Sequence, residues 1–340
     1  MEDVKHQVKE ILDPKVLLAA YRLKWPWPKG QVPSGTVVGK MHFYEDFALR
    51  KALYDLAFYS ILEPLSKIPL EILLAIDLTE FLPSRWDPDY PAQCLGLITI
   101  LDQQRIITSG YSIRYTHAFF DPVCEKLVRQ LVFQPEGVSP ASKTAWLTCG
   151  YSVDDWLARV LWFWAPLAHS DEFMSQDRQI MKNWLHQMRA EVELHANIRD
   201  PFTPREATDD VDIQLFKNMV IEGPPTETYD PKRSGEATIS DYTFWWIRIV
   251  NSHFAIIDMC GHYPYWIRWK GQEWNKEDRK YLKKTDNFEY DPALEPLALE
   301  IRSDYLNGIW KPLQPNPEFE QDKPKEPGTK GTWYISTPAK

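Results

Sequence analysis

Asp102, Gln103 and Arg105 end a run of apolar residues that otherwise has the composition of a buried helix. An ionised carboxylate in apolar surroundings needs a cation or several hydrogen-bond donors, because an unpaired buried charge is strongly destabilising. Arg105 is one candidate for that cation, and the three residues would then form a buried ion pair or a capping network. The other candidate is a ligand, and the three residues would then form the polar floor of a pocket. We therefore predict Asp102 as a candidate catalytic residue, with Gln103 and Arg105 as candidate substrate-binding residues.

A second polar motif, His169-Ser170-Asp171, follows a very apolar segment. Three consecutive residues cannot align nucleophile, base and orienting carboxylate as a Ser-His-Asp triad requires. One interpretation is structural, with Ser170 as the N-cap of the next helix and Asp171 in its first turn. The other gives His169 and Asp171 a ligand-contacting, candidate catalytic role.

The segment from His262 to Lys284 carries an excess of four positive charges in a chain whose formal net charge is −9. Six Tyr and Trp residues are interleaved with these charges. Cations and aromatic rings together are typical of surfaces that bind looped or single-stranded RNA. The alternative is a solvated turn whose rings pack inward. The candidate tRNA-binding residues are Arg268, Lys270, Lys280, Lys283 and Lys284.

The sequence lacks the motifs that are typical of several common enzyme chemistries. It has no dinucleotide or phosphate-binding glycine motif, no His-Glu-x-x-His and no Gly-x-Ser-x-Gly. His186 and His195 lie nine residues apart, as do His253 and His262, which is not a metal-ligand spacing on a helix. We predict no metal and no cofactor. The four cysteines form no Cys-x-x-Cys, so buried free thiols are expected.

The composition is that of a globular protein, with 44% hydrophobic and 26% charged residues among 340. Aromatic residues make up 14%, including 15 Trp, and most of them should be core. The charged N-terminus lacks the apolar region of a signal peptide, and the longest apolar runs are too short to cross a bilayer. We expect a cytoplasmic protein with no membrane partner.

Apolar residues recur at helical spacing along most of the chain, and no strand-like alternation persists. The prediction is an all-α fold of helical hairpins in one domain, with Trp156, Trp162, Trp245 and Trp246 in a dry core. Residues 1–30 should form an N-terminal helix and a Pro/Trp linker. Residues 31–310 should form the domain, with an irregular insertion at about 199–241. The Pro-, Lys- and Glu-rich residues 311–340 are predicted to be a disordered tail.

Three segments together resemble one family. They carry Leu101, Asp102, Gln103 and Gly110, then Pro166, His169, Ser170, Asp171 and Gln176, and then His253, Ile257, Gly261, Pro264 and Gly271. In order and spacing these residues are similar to the family of domain of unknown function 924, a fold of tetratricopeptide-like helical hairpins. The resemblance covers about Tyr44 to Phe288 and implies substrate-binding roles for Gln176 and His253. Where that family has arginines, this chain has Phe254, Met259, His262 and Trp266, so part of the polar lining is exchanged for other groups.

By analogy with this family, we expect an enzyme of specialised metabolism that acts on an amino-acid-derived or aminoacyl substrate. The sharpest form of the hypothesis is a tRNA-dependent synthase of arginine-containing cyclic dipeptides, similar to fungal enzymes of that type. It depends on acidic side chains that can hold a guanidinium and on a basic surface that can bind tRNA. The alternatives are a helical-repeat binding module without chemistry, and a hydrolase or isomerase of an unknown small molecule.

Overall fold

The computed structural model of the chain describes residues 2–43, 46–103 and 106–320. Its α-helices are α1 Glu2–Ile11, α2 Pro14–Lys24, α3 Gly35–Lys40, α4 Phe47–Ala57, α5 Glu63–Ser66, α6 Leu70–Ala75, α7 Tyr90–Gln103, α8 Ile113–Tyr115, α9 Asp121–Val132, α10 Lys143–Thr148, α11 Val153–Leu157, α12 Val160–Ala168, α13 Asp171–Gln176, α14 Arg178–Ala196, α15 Glu206–Asp209, α16 Leu215–Glu222, α17 Ile239–Cys260, α18 Lys276–Lys284 and α19 Glu295–Leu306. Tighter or wider turns are formed by the 3₁₀ segments Leu78–Phe81, Gly110–Ser112, Thr203–Arg205 and Pro292–Leu294 and by the π segments Phe58–Leu62 and Thr116–Phe120.

The predicted all-α class is confirmed. Across the described residues the only β-type pairing is one isolated bridge between Glu227 and Glu236. None of the helices that the structure describes combines the length and the apolar character needed to cross a membrane. The four cysteines are free; three are buried and Cys149 is half-buried.

Helix α17 is the centre of the fold. All but three of its 22 residues are buried, and it packs against α3, α11, α12, α13, α14, α16 and α18. A helix buried on nearly every side is stable only inside such a shell of other helices. It starts at a capping box of Thr238 and Asp241 and ends at Gly261, whose φ of 77° is left-handed. The chain therefore turns sharply into the segment that forms one wall of the site.

Helix α7 is buried along its whole length and packs most closely against α2. Gly96 makes this possible, because a Cβ at that position would collide with the carbonyl oxygen of Leu17. The close approach fixes the direction of α7 and with it the position of Asp102 near its carboxyl end.

Three helical stretches are each divided in two. Pro14 begins α2 and Asp13 caps it by accepting a hydrogen bond from the Lys15 amide at 2.8 Å. Helices α11 and α12 are separated at Arg159, whose fully buried guanidinium contacts Asp155 at 2.9 Å. The helix that Ser170 was predicted to cap ends early, and the carboxylate of Asp177, between α13 and α14, contacts Arg129 at 3.0 Å.

The two segments predicted to be irregular pack against the helices. Within 199–241, α15 and α16 contact α17, and Asp200 pairs with Arg189 of α14 at 2.6 Å. The prediction of a disordered tail is wrong for residues 311–320, which pack on the domain: Leu313 and Phe319 are buried, and the Phe319 ring lies against Tyr54. The rest of the predicted tail, residues 321–340, lies outside the described residues.

The predicted tryptophan core is confirmed, since Trp156, Trp162, Trp245 and Trp246 are all buried. Replacing Trp162 with Ala should lower the free energy of unfolding by about 3–5 kcal/mol, because the cavity loses both transfer energy and packing. The matched control is Trp86→Ala, since Trp86 is 79% exposed and should change stability by less than about 0.5 kcal/mol. Urea denaturation measures both, and equal losses would contradict a core at Trp162.

Candidate functional site

A cleft of about 240 Å³ opens where α7 and α12 end and where α9 and α13 begin. Its walls contain five carboxylates, from Asp102, Asp121, Glu125, Asp171 and Glu172, against one lysine, Lys270, and two histidines, His117 and His169. The two polar motifs singled out in the sequence thus contribute to one cleft although some 65 residues separate them.

Asp102 and His169 form a histidine–carboxylate pair at the floor of the cleft. The Asp102 side chain is 6% exposed, and one of its oxygens lies 3.5 Å from Nδ1 of His169. The Gln103 amide donates a hydrogen bond to the other oxygen. Such a pair orients an imidazole so that its second nitrogen can take or give a proton. A contact of this length is usual for proton-transfer groups before a substrate tightens the site.

Two aromatic side chains fix the His169 ring from behind. The indole of Trp266 stands nearly perpendicular to it at 5.4 Å, and the His253 ring lies 5.6 Å away. His253 is buried, and its Nδ1 donates to the Ile249 carbonyl oxygen at 2.8 Å. His253, expected to bind substrate, therefore forms part of the wall behind His169 and does not line the cleft surface.

Ser170 is the N-cap predicted from the sequence. Its Oγ accepts a hydrogen bond from the Phe173 amide at 3.0 Å, although the helix it starts is the short α13. Asp171 accepts from the Tyr263 amide at 2.8 Å and from Nζ of Lys270 at 2.7 Å. Both Asp171 oxygens are thus used to hold the segment after α17 against α13, and this contact places Lys270 in the cleft.

A second histidine–carboxylate pair lines the same cleft and was not anticipated. Nδ1 of His117 lies 2.9 Å from Asp121, and its ring stacks on Trp266 at 4.9 Å with 20° between the planes. The signal in the sequence was the four-residue spacing, which puts both side chains on one helical face. That spacing alone is ordinary, so only the contact with Trp266 distinguishes the pair.

The carboxylates make the cleft negative. Burial first, and then the charges of Asp102, Asp121 and Glu125, raise the pKa of the Cys124 thiol well above its usual value. A thiol in this state stays neutral near pH 7 and does not act as a nucleophile. A negative cleft of this kind favours a cationic ligand. Within the part of the chain that the structure describes, no three His, Cys, Asp or Glu side chains are grouped so that they could hold a metal ion.

Of the five candidate tRNA-binding residues, only the three lysines of helix α18 are exposed. Lys280, Lys283 and Lys284 are exposed there. Arg268 does not join them, because it is buried and paired with Glu273 at 2.6 Å and with Glu295. Five of the six interleaved rings are buried, namely those of Tyr263, Tyr265, Trp266, Trp269 and Tyr281. The surface therefore offers cations without exposed stacking platforms, as the inward-packing alternative proposed.

Two other predicted residues lie elsewhere. Gln176 is exposed at the end of α13 and is not part of the cleft wall. Arg105 lies outside the described residues.

Comparisons with protein-family models, with curated proteins and with solved structures gave no significant match.

Proposed function

We propose that this chain is an aminoacyl-transfer enzyme that takes arginine from charged tRNA and joins it to a second amino acid as a cyclic dipeptide. The observation that carries the proposal is the His169–Asp102 pair on the floor of a cleft with five carboxylates and one lysine. The proposal includes a distant relationship to the family of domain of unknown function 924. It also implies cytoplasmic localisation, where charged tRNA is found.

The chemistry needs a base and a positioned amine. The α-amine of one aminoacyl group attacks the ester carbonyl carbon of the other, and His169 takes the amine proton. The carbon–oxygen bond to the tRNA ribose then breaks, and the ribose oxygen leaves with a proton as a hydroxyl. A second attack within the dipeptidyl ester closes the ring and releases the second tRNA. The ester bonds supply the driving force, so neither ATP nor a metal takes part.

The charge of the cleft supports arginine as the substrate. A guanidinium forms short, charge-assisted hydrogen bonds with carboxylates, often two to one partner. The exposed carboxylate of Glu172 lies at the start of α13, where the substrate side chain would enter. Asp171 already pairs with Lys270 at 2.7 Å and Glu125 with Arg129 at 2.9 Å. A neutral side chain of the same length would therefore chiefly lose the contact with Glu172, and it should bind more weakly.

Helix α18 supports tRNA as the carrier. Its exposed Lys280, Lys283 and Lys284 can pair with phosphates, a contact that needs no base stacking. Helix α18 packs on α17, whose carboxyl end leads into the segment carrying Lys270. The acceptor stem would lie along α18 while its aminoacyl end enters the cleft.

The test is to incubate the purified protein with charged tRNA and to analyse small products by mass spectrometry. We expect an arginine-containing cyclic dipeptide, formed without ATP and lost after RNase treatment of the charged tRNA. Absence of this product with every charged tRNA would reject the proposal. Ligand binding without product would then favour the non-catalytic binding module.

A further inference from the structure

We infer that Lys270 is a catalytic residue of the cleft and stabilises the negative charge that forms on the ester carbonyl oxygen during transfer. This inference rests on the proposed function, since it assigns a role within the same acyl transfer. His169 acts on the amine that attacks, whereas Lys270 acts on the oxygen of the carbonyl group that is attacked.

The ammonium group of Lys270 is held in the cleft by one carboxylate. Its Nζ donates to one oxygen of Asp171 at 2.7 Å, and the other oxygen of Asp171 accepts from the Tyr263 amide at 2.8 Å. The carboxylate that orients Lys270 is therefore itself fixed by the backbone. Asp171 follows His169 by two residues at the junction of α12 and α13, so this contact holds Lys270 near the turn that carries the base.

The contact with Asp171 leaves hydrogen-bonding capacity on Lys270. An ammonium group has three N–H donors, and Asp171 accepts from one of them. Among the described residues, Nζ has no other hydrogen-bond or ion-pair partner. The side chain lines the cleft and is 26% exposed. The two remaining donors can therefore serve a substrate in the cleft.

The charge of the cleft gives this cation its role. Attack on an ester places a negative charge on the carbonyl oxygen, and the five carboxylates of the cleft walls oppose that charge. Lys270 is the only lysine or arginine among the described residues that line the cleft. A positioned donor in a partly water-excluded site stabilises such a charge far more than the same donor does in water.

The step balances with His169 and Lys270. A nitrogen–carbon bond forms as the amine attacks, the amine proton passes to His169, and the π electron pair of the carbonyl moves onto its oxygen, to which Lys270 donates. The pair then returns to form the carbonyl again, and the carbon–oxygen bond to the ribose breaks. The ribose oxygen keeps the electrons of that bond and takes the proton from His169. Lys270 keeps its protons throughout, so both residues end as they began.

The experiment compares two ligands that differ only at the reacting centre. Arginine methyl ester has the neutral, planar carbonyl group of the substrate, whereas the monomethyl ester of the corresponding phosphonate is tetrahedral and negatively charged, like the attacked ester. Wild-type protein should bind the phosphonate at least about tenfold more tightly than the methyl ester, although the cleft is negative. Lys270→Gln should weaken binding of the phosphonate by about 100-fold and of the methyl ester by less than about threefold. Isothermal titration calorimetry measures the four affinities.

Initial rates with arginyl-tRNA give the second readout. Lys270→Gln should lower kcat for cyclic dipeptide formation by about 100- to 1,000-fold and change KM by less than about threefold, because the contact is made only after attack. Lys182→Gln is the matched control. Lys182 pairs with Asp210 at 2.6 Å and is 27% exposed, but it does not line the cleft, so this variant should keep wild-type affinities and rates.

The outcomes separate the two proposals. If wild-type protein forms no cyclic dipeptide from any charged tRNA, the proposed function and this inference both fail. If wild type forms the product but binds the phosphonate no more tightly than the methyl ester, only the role of Lys270 is overturned, and this comparison decides even where a variant does not fold. Equal weakening of both ligands by Lys270→Gln, or an unchanged kcat, also overturns that role alone.

Discussion

Asp102→Asn is expected to slow cyclic dipeptide formation by about 100- to 10,000-fold while changing the free energy of unfolding by less than about 1 kcal/mol. The amide keeps the shape of the side chain and can still contact Gln103, which limits the structural loss. It cannot stabilise positive charge on His169, so the base loses its orientation and its driving force. Initial rates with charged tRNA and urea denaturation of the same preparation measure the two quantities.

The chain offers a matched control in Asp154→Asn. Asp154 also contacts a histidine, His195, at 2.8 Å, but both side chains lie at the surface. This variant should keep wild-type rates, because an exposed pair contributes little to stability and nothing to the cleft. If Asp102→Asn lost stability in proportion to activity, the buried carboxylate would be structural, as the ion-pair interpretation of the sequence allowed.

Reversing Lys280, Lys283 and Lys284 to Glu should weaken tRNA binding by about 10- to 100-fold at low salt. Each lysine–phosphate contact releases counterions, so the slope of log Kd against log salt should become shallower by about three in the variant. The fold should not change, because the three side chains are exposed on α18. Filter binding over a series of salt concentrations measures both the affinity and the slope.

A second triple variant, with Lys9→Glu, Lys40→Glu and Lys232→Glu, is the control for the change in net charge. These lysines are exposed on other parts of the surface, and their reversal changes the net charge by the same amount. Binding that falls equally in both triple variants would assign the effect to net charge and remove α18 as the tRNA surface.

The part of the cleft formed by Asp102 and His169 could be predicted from the sequence, because the polar motifs that contain these residues follow apolar helical segments. Asp102 and His169 each follow a buried segment, and buried helices that end in polar residues bring those residues to openings in the core. The N-cap at Ser170 was equally predictable, since capping depends on residues within one turn. Helix interruptions at Arg159 and Asp177 were not predictable, because the first accompanies a fully buried ion pair with Asp155 and the second a contact with Arg129, 48 residues away in the sequence.

The other half of the cleft depends on contacts between distant residues. In the sequence His117 and Asp121 form an ordinary helical pair, and only the fold shows that Trp266, 149 residues further along the chain, packs on the imidazole. Arg268 was predicted to be a surface cation, but its side chain is buried and pairs with Glu295 of α19. Counting charges along a segment cannot say which side of the backbone faces water, so the basic surface was predicted too large.

Isotope dilution tests the central claim most directly. Arginyl-tRNA carrying carbon-labelled arginine is incubated with the protein, a large excess of unlabelled free arginine, and ATP. Transfer from tRNA predicts a cyclic dipeptide that retains the full specific label of the arginyl-tRNA, since free arginine never enters the cleft in activated form. A product diluted by the unlabelled arginine would show that the protein activates free amino acid, and would contradict the tRNA-dependent account.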